Sequence, residues 1–363
     1  MSPKKIKLAV IGHRGFPGVQ GGVEKHCEAI IPLLAKDMDI TVYRRKPYLN
    51  AQSYGSSIQN IRYIDLPSTR IKGFEALFHT FISCIHILLH RTDIVNVHNI
   101  GPGLFIPILR LFRIKVILTY HSANYEHQKW NKYAKYLLRL CEYISLKSAN
   151  RIIFVNKFQM QKYNEVIQQK SIYIPNGIPT ITKPDKIDFL EKHHITPNNY
   201  ILAVGRLTPE KGFDILIKAI TQIKQPITLV IAGASDHDSS YLDRLKELDL
   251  KNRVIFTGFT TSENLSQLYA NAQLFVLSSI NEGFPLVLLE AMSYNLPLVV
   301  TDIPATHLVK LSSANYVKAN DIKSLQAGIE FMVDNNQSPI YDLQDFQWTQ
   351  IASKTKNIYL ESV

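Results

Sequence analysis

Short runs of β-branched and aliphatic residues recur along this chain, separated by longer stretches whose apolar positions return every three to four residues. The runs IKLAVIG (6–12), DITVYRR (39–45), IRYIDLP (61–67), DIVNVHN (93–99), IKVILTYH (114–121) and RIIFVN (151–156) read as strands. Between them, GVEKHCEAIIPLLAKD (22–37) and KYAKYLLRLCEYISLKSA (132–149) read as helices. The rhythm then starts again with NYILAVGRL (199–207), ITLVIAG (227–233), RVIFTGF (253–259), LFVLSS (274–279) and LPLVVTD (296–302). Such alternation predicts parallel sheets covered by helices on both faces, and its repetition predicts two doubly wound α/β domains in tandem. The segment SIYIPNGIPT, Ser171 to Thr180, has two prolines and an Asn-Gly pair and reads as the join. FQWTQIASKTKNIYLESV (346–363) reads as a final amphipathic helix anchored by Trp348, Ile351 and Ile358. The expected domains are therefore 1–175 and 176–345, with 346–363 as a final helix.

Length agrees with this division, since 363 residues exceed what one core of ordinary size organises. Cys27, Cys84 and Cys141 are far apart, so neither a disulfide framework nor a zinc-binding pair is expected. The start MSPKKIKLAVIG runs directly into a strand with no secretory signal, and no apolar run is long enough to span a bilayer. A cytoplasmic protein is the expectation. Charge is uneven: residues 1–175 hold 25 Lys and Arg against 10 Asp and Glu, the remainder 16 against 20. The net +11 thus lies in the first half, which suits contact with an anionic surface. No nucleic-acid-binding motif accompanies it, so nucleic acid is not an expected partner.

In open parallel sheets ligands collect beyond the C-terminal ends of strands. Two such sheets facing each other would make a cleft, and three strand exits carry suitable chemistry. After the first strand, GHRGFPGVQGGVEKH (12–26) is glycine-rich and ends in a helix start, with Gly21 and Gly22 where a phosphate would rest. Its spacing matches neither a dinucleotide fingerprint nor a Walker loop. After the strand at 199–207, GRLTPEKG puts Arg206 and Lys211 on one short loop before a helix, a clamp for a diphosphate, unless Glu210 pairs with one of them. After LFVLSS, the stretch NEGFPLVLLE places Glu282 in a loop and Glu290 within a helix whose first turn takes Pro285. Between these acids lie Gly283 and Phe284 and the early helical amides of Leu286 and Val287. Acid, amide cluster and acid together fit a polyhydroxylated molecule carrying phosphate.

GRLTPEKG and EGFPLVLLE, with two glutamates separated by seven residues, resemble the donor-site signatures of retaining GT-B glycosyltransferases of family 4. GHRGFPGVQGGVEKH, VHNIGPG and TYHSANYEHQKW are similar to the bacterial rhamnosyltransferase-like branch, and the resemblance covers nearly the whole chain. It implies two Rossmann-like domains facing across a cleft, the first for the acceptor and the second for a nucleotide sugar, with the last helix crossing back. It assigns Arg206 and Lys211 to the donor diphosphate, Glu290 to the ribose and Glu282 to hydroxyls of the transferred sugar. His121 would sit by the anomeric carbon, Gly21 and Gly22 by the phosphate, and Gly258 and Phe259 by the base. The branch continues after its histidine with Gly, an aliphatic residue, Asp and Trp. Here stand Ser122, Ala123, Asn124 and Tyr125, a departure that bears on acceptor and sugar.

The resemblance implies a metal-independent, retaining transfer of rhamnose or another hexose, without cofactor, to a saccharide acceptor. In this branch acceptors are often lipid-linked and used for surface polysaccharide. Asp236 and Asp238 mimic a metal-binding Asp-x-Asp but read as a helix-capping loop. Two stretches, 70–91 and 103–115, combine apolar faces with basic residues and suit peripheral contact with the inner membrane face, although the first also suits core. The alternative activity on this architecture is a nucleotide-sugar 2-epimerase, which would act without an acceptor.

Overall fold

The structure, a computed structural model, describes residues 5–363 apart from 55–57, 70, 72–73, 124, 126–130, 179–180, 182–183, 236–239 and 336–338. Asn124 and the pair Asp236 and Asp238 therefore lie outside the described residues. The chain divides into two compact units: Met1–Gly177 with Asp345–Val363, and Ile178–Gln344.

In the first unit the order is β1 (Ile6–Ile11), α1 (Gly22–Leu34), β2 (Met38–Arg45), α2 (Ala51–Tyr54), β3 (Ile61–Leu66), α3 (Phe74–Leu89) and β4 (Ile94–His98). It continues through α4 (Ile106–Leu111), β5 (Lys115–Tyr120), α5 (Lys132–Ser148), β6 (Arg151–Phe154), α6 (Lys157–Met160), α7 (Glu165–Gln169) and β7 (Ser171–Tyr173). Among the described residues these strands form one seven-stranded parallel sheet in the order β3-β2-β1-β4-β5-β6-β7. Side chains alternate across a strand, so Leu8 and Val10 enter one core while Ala9 and Ile11 enter the other. That two-sided burial is why the central strands read as continuous apolar runs.

The second unit runs α8 (Asp188–Lys192), β8 (Tyr200–Val204), α9 (Phe213–Gln222), β9 (Thr228–Ala232), α10 (Ser240–Leu248), β10 (Val254–Gly258) and α11 (Ser262–Ala270). It continues through β11 (Leu274–Leu277), α12 (Leu286–Ser293), β12 (Leu298–Thr301), β13 (Tyr316–Val317) and α13 (Ile322–Asn335). The sheet is again parallel, six-stranded among the described residues, in the order β10-β9-β8-β11-β12-β13. The chain then returns as α14 (Trp348–Leu360), whose Ile351, Ala352, Ile358 and Tyr359 complete the core beneath α1 in the first unit. All four are buried.

Two elements differ from the sequence reading. The segment expected to be wholly linker begins as β7, the edge strand beside β6, and the division falls after Gly177. A three-residue strand is too short to display alternation beside its proline. β13 escaped for the same reason, being two residues long. Helix α3 is also unusual in what it buries. Its inward residues include His79, Thr80, Ser83 and Cys84, while Phe74, Phe81, Ile85 and Leu89 are exposed. Thr80 and Ser83 satisfy their hydroxyls by donating to the carbonyls of Ala76 and His79 one turn back.

His79 and His13, which follows β1, are both fully enclosed in the first unit. Burial lowers each imidazole to about 3; repulsion adds to this, from His79, Arg45 and Arg44 at His13 and from Arg45 at His79. Between about pH 6.5 and about 3 the unfolded chain therefore binds protons that the folded chain refuses. The stability contributed by the neutral rings is complete above about 6.5 and lost as pH falls through that interval. Calorimetry from pH 7 to 4 is expected to show a falling first-unit melting temperature, with a shallower slope in His79→Gln.

Candidate functional site

In each sheet the strand order reverses between two central neighbours, β1 and β4 in the first unit and β8 and β11 in the second. Connections leave these neighbours toward opposite faces, so polar groups have room just beyond their C-terminal ends. The residues singled out in the sequence cluster at or near these two places.

In the second unit β8 ends at Val204 and leads to half-buried Arg206, while β11 ends at Leu277 and leads through Ser278 and Ser279 to Glu282. The two exits are tied together. Ser278 Oγ donates to the Lys211 carbonyl at 2.8 Å, and the Ile280 amide donates to the Glu210 carbonyl at 2.9 Å. Gly212 makes the closeness achievable. It has φ +64°, and a Cβ there would stand 2.2 Å from the Ser278 carbonyl oxygen. Across this seam Lys211 Nζ donates to Glu282 Oε1 at 2.5 Å, with both side chains mostly shielded from solvent. Ser279 Oγ donates to the same oxygen at 2.7 Å, and Thr301 holds the Ser279 carbonyl in turn. Sequence reasoning gave Lys211 and Glu282 separate ligand roles and considered Glu210 as the cation's partner. In the structure Lys211 and Glu282 pair with each other through Oε1 of the glutamate.

Helix α12 opens beside them. Pro285 lies just outside as its N-cap rather than in the first turn, and Leu286 and Val287 begin the helix. Their amides belong to the group that an α-helix cannot pair internally, so the end attracts negative charge. Glu290 is the fifth residue of this helix and is buried. Tyr269 on α11 donates to Glu290 Oε2 at 2.8 Å. Burial, reinforced by this carboxylate, pushes the Tyr269 hydroxyl well above the usual phenol range, which keeps it a proton donor. The sequence gave no sign of Tyr269, because a buried tyrosine 21 positions away resembles any core aromatic. Phe284 is buried beside the loop. Gly258 ends β10 at φ +69° with open space above it, and Phe259 presents its ring 52% exposed.

In the first unit Gly12, at φ +98°, passes so near β4 that a Cβ would meet the His98 carbonyl oxygen at 2.2 Å. Gly21 is the N-cap of α1 and Gly22 its first residue. The Glu24 carboxylate folds back on this start, accepting from the Arg14 amide at 2.9 Å, so the place expected to face phosphate already holds an anionic group. His121 follows β5, is 8% exposed, and belongs to a cluster the sequence did not disclose. Its Nε2 is 2.9 Å from Nδ1 of His98 at the end of β4. His26 on α1 lies edge-on to it, ring centres 5.0 Å apart, and pairs through Nδ1 with Asn176 Oδ1 at 2.8 Å. Burial is the largest cause in lowering all three: His26 to about 4, His98 and His121 well below the usual imidazole range, helped by mutual repulsion. The neutral rings can exchange hydrogen bonds but cannot supply positive charge to a leaving group. His98 and His26 were visible in VHN and VEKH, but only the fold brings them within reach of His121.

The seam in the second unit is testable. Gly212→Ala combines a left-handed backbone, costing about 1–2 kcal/mol for a side-chain-bearing residue, with a backbone collision. A melting temperature for the second unit lowered by several degrees is expected.

Residues 20–181 match the family model described as Glycosyltransferase Family 4, and residues 185–342 match that described as Glycosyl transferases group 1. An uncharacterised glycosyltransferase of Methanocaldococcus jannaschii is 28% identical over 98% of both chains. The O-antigen chain mannosyltransferase RfbU of Salmonella typhimurium is 32% identical over 54% of this chain and 54% of its own. Among solved structures, sucrose-phosphate synthase from Thermosynechococcus elongatus superposes with a TM-score of 0.84 at 20% identity, covering 98% of this chain and 99% of that one, a likeness of fold. Two Rossmann-like units of matching strand order, each matched by a glycosyltransferase family, make this chain a glycosyltransferase of GT-B fold.

Proposed function

We propose that the chain transfers a hexose, rhamnose or a related sugar, from a nucleoside diphosphate to a saccharide acceptor with retention of anomeric configuration. The observation that carries this reading is the seam beyond β8 and β11, where Arg206, Lys211, Glu282 and the start of α12 converge. Arg206, Lys211 and the amides of Leu286 and Val287 hold the diphosphate and stabilise the charge that grows on it as the glycosidic bond breaks. Glu282 has two tasks. One oxygen steadies the Lys211 ammonium, and the other accepts from hydroxyls of the sugar. Glu290, oriented by Tyr269, accepts from the ribose with its remaining lone pairs, and the exposed Phe259 ring stacks on the base beside Gly258. Neutral His121 serves the anomeric centre as a hydrogen-bonding group. No metal or cofactor is required, because protein cations supply the charge.

The likeness to an O-antigen mannosyltransferase supports a role in surface polysaccharide. A lipid-linked acceptor is supported by the outward face of the first unit. Phe81, Ile85 and Leu89 on α3, Leu111 on α4 with Phe112 after it, and Tyr133, Tyr136 and Tyr143 on α5 are all exposed. Arg110, Arg113, Lys132 and Arg139 stand exposed on the same elements. Helix α3 packs against α4, and α4 against α5, so the face is continuous. Aromatic rings interleaved with cations suit the headgroup region of an anionic membrane. Among the described residues no helix is long and apolar enough to cross one.

Thermal shift against UDP-, GDP- and dTDP-sugars tests the donor site. One nucleotide series should raise the melting temperature and Arg206→Ala should abolish the shift. No shift in any series would overturn the clamp. With the donor identified, Arg206→Ala and Lys211→Ala are each expected to lower turnover on the order of 10²-fold, while chelator leaves the wild type active. For the membrane face, sedimentation with anionic vesicles at low salt should be lost in the double variant Leu111→Glu and Phe112→Glu. Equal sedimentation of variant and wild type would remove the membrane reading.

A further inference from the structure

Outside the donor-binding residues, the described part of the chain contains a buried group whose composition points to a ligand. His26, His98 and His121 come from three elements, and each offers a ring nitrogen within 4.8 Å of the others. We propose that these histidines bind a borderline divalent transition metal, Zn²⁺ or a chemical equivalent, and that occupation inhibits transfer by engaging His121.

Ligand chemistry selects the ion. Three imidazoles suit zinc, cobalt, nickel or copper and not magnesium or calcium, which prefer oxygen. The environment of His26 is that of a ligating ring. Asn176 Oδ1 can only accept, so His26 Nδ1 carries the proton and Nε2 keeps its lone pair, while Asn176 fixes the ring's orientation. Trp348 packs edge-on to the same ring, 5.5 Å between centres, and limits its rotation. Cys27 Sγ lies 3.6 and 3.8 Å from the two nitrogens of His98, a packing position over that ring. The three imidazoles supply three ligands, and the fourth position falls to water.

His98 Nδ1 and His121 Nε2, now 2.9 Å apart, share one proton between them. Around one tetrahedral ion with bonds of about 2.0–2.1 Å the two nitrogens would stand about 3.3 Å apart. The donor ring then shifts its proton to its other nitrogen, with no net release. The His98–His121 pair has to open by only a few tenths of an ångström, while separations of up to 4.8 Å within the cluster have to close onto the ion. With its nitrogen on the metal, His121 can no longer exchange hydrogen bonds at the anomeric centre. The inhibitory part of the proposal rests on that role for His121, while the binding part does not.

The experiment uses the full chain after chelator treatment, titrated with Co²⁺. Wild type should develop the visible absorption of a tetrahedral cobalt site at one ion per chain, and Zn²⁺ should displace it. His26→Gln should lose the signal, and Asn176→Ala should weaken binding by about ten- to a hundredfold. In a transfer assay Zn²⁺ should inhibit the wild type and spare His26→Gln, whose turnover without metal remains. No cobalt spectrum in the wild type, or an undiminished one in His26→Gln, would overturn the site. Stoichiometric binding with undisturbed transfer would overturn the inhibition and, with it, the role given to His121. A protein that binds cobalt as expected but transfers no sugar would count against the proposed activity and leave the metal site standing.

Discussion

Strand β8 is buried from Tyr200 to Val204 and β11 from Leu274 to Leu277, so neither can carry a polar group along its length without stranding it in the core. The polar functions of both strands are pushed past their ends, into loops that must then be held together. Gly212 meets that requirement, because it alone lets the β8 exit lie against the Ser278 backbone. From this contact follow the two hydrogen bonds to the Lys211 and Glu210 carbonyls, the meeting of Lys211 with Glu282, and the placement of α12 beside both. The first unit repeats the device with Gly12 against His98, which brings its histidines together at the equivalent point of its own sheet.

The Lys211–Glu282 pair shows how such a seam is held together. An isolated, mostly buried cation would be costly to maintain, and so would an isolated carboxylate. Paired, each offsets the other's desolvation and holds it in place. Glu290 and Tyr269 follow the same logic with a neutral donor in place of a cation.

Alternation and loop chemistry made most of this legible beforehand. Apart from β7 and β13, the strands of both sheets stand within a few residues of their expected positions, because they are short runs rich in β-branched and aliphatic residues. Arg206, Lys211, Glu282 and Glu290 could be singled out because they occupy strand exits or a helix start. What the sequence withheld were partners distant along the chain. Tyr269 for Glu290, His98 and His26 for His121, and Asn176 for His26 are joined only by parallel strand order, which has no local signature. The Lys211–Glu282 pairing was missed differently: Glu210 was adjacent and acidic, but its side chain is buried while its backbone serves the seam. Short β7 and β13 lay below the length at which periodicity speaks.

Helix α14 returns to the first unit and fills the space beneath α1, with Ile351 and Tyr359 buried there. On a ribosome, the second unit is complete once residue 344 has emerged, because its segments are continuous in sequence. The first unit, although begun earlier, stays open along one side of its sheet until residues 345–363 arrive. Order of synthesis and order of completion are therefore reversed. Through that interval the nascent chain exposes the apolar underside of β1, β2 and α1, the surface on which a chaperone would act.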